Sequence, residues 1–253
     1  MQTLLQLVWG DGFLSPGGAE EVARLLEGSD IRNLRVLDVG CGLGAIDLLL
    51  VQSHGAGHVT GIDLEPELIQ KARARVAQAG LSPQIELIQV LPGALPFADA
   101  SFDVVFSKDS LVQIPDKSAL FREVRRVLVP GGRFIASDWL RGGRGPYSPE
   151  MLEYFRLEGI TYNMASAEET RAALTHAGFS SVVMHDRNAW YLALATREAL
   201  SLQTEWLPLL ERQLGEDRAR HFVANWEQLV LVLRRGELRP THLKAVNPRG
   251  YKA

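Results

Sequence analysis

Four residues in the stretch VLDVGCGLGAID carry the first chemical signal in this chain: Asp38, Gly40, Gly42 and Gly44. An apolar run ends there and a helix-forming run begins, so the glycines occupy a sharp strand-to-helix turn. Glycine at such a turn lets backbone N–H groups approach a ligand that a Cβ would hold off. Asp63 ends the next apolar run, HVTGID, where a carboxylate can accept both hydroxyls of a ribose. The glycines read G-C-G-L-G rather than G-x-G-x-x-G, and Asp38 stands just ahead of them. An acid beside the loop repels a pyrophosphate and attracts an ammonium group. The set therefore fits S-adenosylmethionine, a ribose-bearing compound with an ammonium end, better than NAD. A tight turn with no ligand is the plain alternative.

A second polar group closes the run FDVVF, which passes into Ser107, Lys108 and Asp109 and then reaches Gln113. Charges at the end of a buried strand are costly unless paired. The carboxyl edge of a parallel sheet is also where such folds bind ligands. Asp109 is expected to face the gap between cofactor and acceptor, with Gln113 one helical turn later orienting the acceptor. The alternative is that Asp109 N-caps the turn 110–114 and Gln113 is solvated. Phe13, Trp139, Tyr154, Tyr162, Trp190 and Tyr191 offer aromatic faces to a cation, against the alternative of ordinary packing. Trp139 stands apart because it follows a strand at the same edge.

These residues need a frame. RVLDVG (35–40), HVTGID, QIELIQV, FDVVFS and RFIASDW read as buried strands, separated by helical runs of 10–15 residues. EPELIQKARARVAQAG has Pro66 at its start and Gly80 at its end, and DKSALFREVRRVLVPGG is closed by Pro130 and Gly131. SPGGAEEVARLLEG opens with Ser15 as N-cap and Pro16 at the first helical position. Such alternation means right-handed βαβ units and a doubly wound α/β sheet. After Trp139 the pattern lapses: a Gly/Pro loop precedes a helix in 149–164, then the helix SAEETRAALTHAGF feeds the strand SSVVMHD. Helical patterns follow at about 197–214 and 216–235. LRPTHLKAVNP reads as a last strand, a ribbon partner at a sheet edge. The whole, 1–253, is expected to be a single domain.

Composition narrows the partners. Of 253 residues, 46% are hydrophobic and 23% charged, with a net charge of −3, which suits a chain that buries a sizeable core. The arginines are scattered, so neither a nucleic acid nor an anionic membrane is an expected partner. No apolar run approaches ~18 residues, and the N-terminus lacks a basic leader region. The lone Cys41 fits a reducing cytoplasm. The six histidines keep no metal-ligand spacing, and no metal is expected.

The stretches VLDVGCGLG, GIDLEPELIQKARARVAQAG and LPFADASFDVVFSKDSLVQIPDKSALFREVRRVLVPGGRFIASDW resemble the class I methyltransferase family. The resemblance implies a Rossmann-like fold with a seven-stranded, mostly parallel sheet, helices on both faces, and a seventh antiparallel strand from LRPTHLKAVNP. It implies Asp38, Gly40, Gly42 and Gly44 around the methionyl part of S-adenosylmethionine, and Asp63 with Leu64 at the ribose. Ser107 and Lys108 would lie under the methionyl group. Where many members carry an acid for the adenine amine, this chain has Leu91. A narrower resemblance, in WGDGFLSPGGAEEVARLL, SKDSLVQIPDK and SDW, is to phosphoethanolamine N-methyltransferases. It implies that 1–16 folds over the site as a lid, bringing Leu14 and Ser15 to the cofactor. Apart from the resemblance, 140–165 and 188–235 read as acceptor-side cap segments added around the sheet, the helices within 197–235 either capping the acceptor pocket or making a dimer contact, with Phe13, Trp139, Tyr154 and Tyr162 as candidate acceptor contacts.

Asp109 matches that family's acid, while Gln113 stands for its histidine, Leu5 for its tyrosine, and Glu158 near its phosphate-binding arginine. The implied activity is methyl transfer to a small molecule, at an amine nitrogen before an oxygen, carbon or sulfur, by a monomer or homodimer. A phosphorylated base is a poor candidate, and a non-catalytic module with the same fold is the rival of a different class.

Overall fold

The structure is a computed structural model and describes residues 2–160 and 162–249. Five strands run as expected: β1 (Arg35–Val39), β2 (His58–Asp63), β3 (Ile85–Gln89), β4 (Phe102–Lys108) and β5 (Leu128–Arg141). β6 (Ser180–Asp186) and β7 (Leu238–Val246) complete a sheet of order β3-β2-β1-β4-β5-β7-β6. β1 pairs in parallel with β2 and β4, β2 with β3, and β4 with β5. This matches the seven-stranded, mostly parallel sheet that the resemblance implies.

Alternate residues on the central strands feed two different cores, which is why the strands read as unbroken apolar runs. Val36, Val104, Phe106 and Ile135 enter one core with Leu25, Leu50 and Ile69. Leu37, Val105, Phe134 and Ala136 enter the other with Phe121, Val124 and Leu174. The helices supplying these partners are α2 (Gly18–Leu26), α3 (Ala45–Gln52), α4 (Pro66–Gln78), α5 (Lys117–Val127) and α7 (Ala167–His176). An N-terminal helix, α1 (Gln2–Trp9), precedes them.

Four expectations about elements are corrected. β7 is not at the sheet edge but lies between β5 and β6. It runs antiparallel to β5, since Gly131 N–H donates to Asn247 O at one end while Gly142 N–H donates to Glu237 O at the other. Its burial fits an interior strand, whereas β6 alternates half-buried and exposed residues as an edge strand does. Ser15 does not cap α2; Gly17, with a left-handed φ of 84°, precedes the helix, and the Ser15 hydroxyl accepts from Lys108 instead. α5 ends at Val127, ahead of Pro130, and β5 begins at Leu128 with an irregular pairing to β4 between Phe102 and Val104. The pattern at 197–214 is two helices, α8 (Asn188–Gln203) and α9 (Leu207–Leu214). Pro208 in the first turn of α9 has no N–H to continue α8, and Asp186 Oδ1 starts α8 early by accepting from Asn188 N–H at 2.7 Å.

Two compact units result. The first comprises 1–138, 168–184 and 242–253; the second comprises 139–167 and 185–241. The second unit is helical. α10 (Glu216–Arg234) packs against α8, α9 and α6 (Pro149–Glu158), and buries Phe222, Trp226, Leu229 and Leu233. The segments 140–165 and 188–235 fall inside it. Among the described residues, no helix is long and apolar enough to cross a membrane.

Candidate active site

The first unit gathers its polar groups at the carboxyl ends of β1, β2 and β4. Gly40, Gly42 and Gly44 all have positive φ, so the turn after β1 needs glycine on conformational grounds alone. Their surroundings divide their roles. A Cβ at Gly40 would collide with Ser110, and one at Gly44 would press on Ala72 Cβ of α4 at 3.1 Å. A Cβ at Gly42 would meet only Leu14, at 3.4 Å. Gly42 is thus the least obstructed of the three, with only the Leu14 side chain beside it.

Asp63 ends β2 and faces the same turn. Its Oδ2 accepts from Gly42 N–H at 2.9 Å and its Oδ1 from Glu65 N–H at 3.0 Å. Leu64 beside it is 48% exposed and Leu91, past β3, is 80% exposed. Asp38 is fully buried in β1, and among the described residues neither carboxylate oxygen finds a hydrogen-bond partner. Burial pushes its carboxyl well above the ordinary range, and the Asp47 and Asp63 charges push it further.

Sequence reasoning passed over Asp47, in the first turn of α3. It too is fully buried, its side-chain oxygens meeting no hydrogen-bond geometry among the described residues, and burial, only partly offset by its own backbone N–H, raises its carboxyl to about 7. Its Oδ1 lies where a Cβ on Gly61 would stand, 2.6 Å away. Cys41 sits beside the same position, and burial followed by the Asp47 charge drives its thiol upward.

At the end of β4, Ser107 is fully buried and donates to Val39 O at 2.7 Å; Ser110 donates to the same carbonyl at 2.7 Å. Lys108 Nζ donates to Ser15 Oγ and Pro16 O, both at 2.9 Å, and to Asp109 Oδ2 at 2.7 Å. Asp109 Oδ1 accepts from the Ser137 hydroxyl at 2.7 Å. Asp109 does not cap the turn that follows. That turn is a single 3-10 turn, Leu111–Gln113, preceded by Ser110 and fixed instead by Asp138, which accepts from Val112 N–H at 2.8 Å. Gln113 closes the turn and is exposed. Ser110, Ser137 and Asp138 were not singled out in the sequence, although the polar clusters SKDS and ASDW at two strand ends were the available signal.

Residues 10–16 lie against the glycine turn. A Cβ on Gly12 would meet Ala45 Cβ at 2.7 Å, and Asp11 pairs with Arg75 of α4 at 2.6 Å. Phe13 is half-buried in this segment. Trp139, Tyr154 and Tyr162 belong to the second unit. There Trp139 meets Tyr191 edge-on at 5.2 Å, and the Tyr154 and Tyr162 hydroxyls are 3.4 Å apart.

The cofactor inferred from the sequence can be tested against these atoms. An orphaned, fully buried carboxylate beside a glycine turn suits an ammonium group. A second carboxylate one strand away suits a pair of ribose hydroxyls. The donor set fits S-adenosylmethionine.

A methyltransferase-domain family model matches residues 31–213. The chain belongs to this methyltransferase family. Among curated relatives, it is 34% identical over 199 residues to phosphoethanolamine N-methyltransferase 1 of Arabidopsis thaliana, covering 78% of this chain and 39% of that protein. It is 32% identical over 158 residues to an O-methyltransferase of Aspergillus nomiae, covering 62% of this chain and 69% of that one. Phosphoethanolamine N-methyltransferase 2 of Haemonchus contortus, solved with S-adenosyl-L-methionine, superposes with a TM-score of 0.89 at 22% identity, over 98% of this chain and 56% of that one. At that identity the likeness speaks to the fold. This methyltransferase chain spans less than half the length of the phosphoethanolamine relatives first matched, from 37% to 46%.

Proposed function

We propose that this chain transfers a methyl group from S-adenosylmethionine to a small-molecule acceptor, at an amine nitrogen. The observation that carries the reading is the pairing of Asp38, buried and without a hydrogen-bond partner among the described residues, with Asp63 at the next strand end, on either side of Gly42, the least obstructed of the three glycines. Asp38 and the backbone of Gly40, Gly42 and Gly44 would hold the methionyl end; Asp63 and Leu64 would hold the ribose. Ser107, Lys108, Leu14 and Ser15 would complete the cofactor's surroundings. When bound, the cofactor would supply an electrophilic methyl on a sulfonium.

The chain's own task is alignment and exclusion of water. Lys108 and Ser137 hold the Asp109 carboxylate by its two oxygens, leaving lone pairs to accept an N–H of the acceptor. Gln113 would orient the acceptor from the following turn. Phe13 in the first unit and, within the second, Trp139, Tyr154 and Tyr162 are each candidate acceptor contacts. An amine that arrives uncharged needs no strong base; otherwise Asp109 takes its proton. The similarity to an O-methyltransferase supports a second reading, in which the acceptor atom is oxygen. The single cysteine, which fits a reducing compartment, supports a cytoplasmic enzyme, proposed to act as a monomer or homodimer.

Calorimetric titration with S-adenosylmethionine tests the first step, and methyl transfer to panels of amines and of phenols tests the second. Micromolar cofactor binding and turnover of amines are expected. A folded sample that binds no cofactor at high micromolar concentration would refute the transferase reading. Asp109→Asn is expected to lower turnover more than cofactor affinity, and equal losses would return Asp109 to a structural role.

A further inference from the structure

The second unit holds a carboxylate in an aromatic setting that the cofactor reading does not use. Glu158 is the last residue of α6, and its Oε2 accepts from Asn225 Nδ2 of α10 at 2.5 Å. Among the described residues no lysine or arginine pairs with it. Burial raises its carboxyl, an effect that Asn225 and the neighbouring His221 only partly offset. Asn225 itself is 3% exposed, and its Oδ1 accepts no hydrogen bond.

Tyr154 stands one turn before Glu158 on the same face of α6. Burial and then the Glu158 charge raise both its phenol and that of Tyr162. The Tyr162 ring stacks on Phe155 at 5.0 Å and lies 6.0 Å from Tyr154. The group is not sealed, because Glu158 is only half-buried and Gly159 and Ile160 beyond it are exposed.

Buried acceptors without donors are unfavourable by ~1–3 kcal/mol each. Here a carboxylate, an unfilled amide oxygen and aromatic faces occur together, and among the described residues His221 is the neighbouring group that offsets the Glu158 charge, with no lysine or arginine paired to it. Each of these groups favours the same visitor: a positively charged nitrogen that carries N–H bonds. An anion would meet the Glu158 charge at short range and gain nothing from Asn225 Oδ1.

We propose that the second unit carries an ammonium-binding site in which Glu158 and Asn225 accept the N–H bonds of a protonated amine beside the aromatic group of Tyr154 and Tyr162. Resting on the transferase reading above, the inference is that the acceptor is an amine bearing no phosphate, held at this site in its protonated form, which is not the form that is methylated.

The test is calorimetric titration of the full chain, saturated with S-adenosylhomocysteine, using ethanolamine, phenethylamine and phosphoethanolamine. At least one of the two unphosphorylated amines is expected to bind ten-fold or more tightly than phosphoethanolamine. Glu158→Gln keeps a partner for Asn225, so it should fold; it is expected to weaken amine binding at least ten-fold and leave S-adenosylhomocysteine affinity unchanged. Glu158→Arg should reverse the preference in favour of phosphoethanolamine. Equal or tighter binding of phosphoethanolamine by the unaltered chain overturns the proposal, as does no binding of either amine or no effect of Glu158→Gln. Failure of S-adenosylhomocysteine to bind would instead strike the transferase reading.

Discussion

Lys108 and Asp109 are consecutive residues whose side chains meet, Nζ to Oδ2 at 2.7 Å, with side-chain exposures of 1% and 5%. Neighbours on a strand normally point to opposite faces. Asp109 escapes that rule because it adopts a left-handed φ of 59°, turning its side chain back beside Lys108. The same ammonium holds Ser15 and Pro16, so one buried cation joins the end of β4 to the segment before α2.

Breaking such a pair from one side leaves a charge uncompensated. Lys108→Met is expected to destabilise the chain by ~3 kcal/mol or more, as does the loss of one partner from other buried ion pairs. Adding Asp109→Asn to Lys108→Met should recover part of that loss. Urea unfolding of the two single variants and the double variant measures the coupling, and strictly additive losses would show that the two side chains do not depend on each other.

Asp63 serves both the fold and the cofactor on the proposed reading. Asp63→Ala removes the acceptor for Gly42 and Glu65 N–H and a charged acceptor for two hydroxyls. Affinity for S-adenosylmethionine is expected to fall at least ten-fold. Asp63→Asn, which keeps one acceptor oxygen, should fall between the two. Calorimetry on samples with matched unfolding curves checks this, and unchanged affinity in Asp63→Ala removes Asp63 from the ribose.

Much of this was legible in advance for a definite reason. β1, β2, β4 and β5 are buried on both faces, so their apolar runs are dense and end abruptly at polar residues. Asp38, Asp63 and the glycines stand at those ends and inherit the clarity of the strands. Where legibility failed, a distant partner decided the outcome. Ser15 looks like a helix cap until Lys108, far along the chain, claims its hydroxyl. LRPTHLKAVNP looks like an edge strand because nothing local reveals that it enters between β5 and β6. Asp47 looks like a favourable first-turn acid, and only the packing of α3 over Gly61 removes it from water.

That burial of Asp47 has a signed consequence for pH. An unfolded aspartate titrates near 3.9, and folded Asp47 near 7. Between those values the folded chain keeps a proton that the unfolded chain releases. Stability from this group is therefore complete below about pH 4 and is lost as pH rises through 7, at no more than about 1.4 kcal/mol per pH unit. Asp47→Asn should abolish that fall, so the variant gains on the unaltered chain steadily from pH 4 to pH 7. Glu123, held low by its hydrogen bond to Arg126, gives the opposite slope at acid pH in both proteins and cancels in the difference. Paired urea titrations across pH 4–8 decide it, and a flat difference would mean that Asp47 is ionised in the folded chain throughout.

Gly40 and Gly42 of the β1 turn should fail in different ways when substituted. Gly40→Ala places a methyl on Ser110, displacing a hydroxyl that bonds Val39 O, at a φ of 83° where a side chain is already strained. The left-handed conformation alone costs ~1–2 kcal/mol, and the collision adds to it, so Gly40→Ala should unfold well below the unaltered chain. Gly42→Val bears the conformational cost, but its Cβ meets only Leu14 at an ordinary contact distance. Its remaining bulk projects where the cofactor is proposed to lie. The expected outcome is a modest drop in melting temperature with cofactor binding abolished, read by thermal unfolding and calorimetry on the same sample. If Gly42→Val bound S-adenosylmethionine normally, the turn would be tight for the sake of the fold, and the ligand would have to be sought elsewhere along the sheet edge.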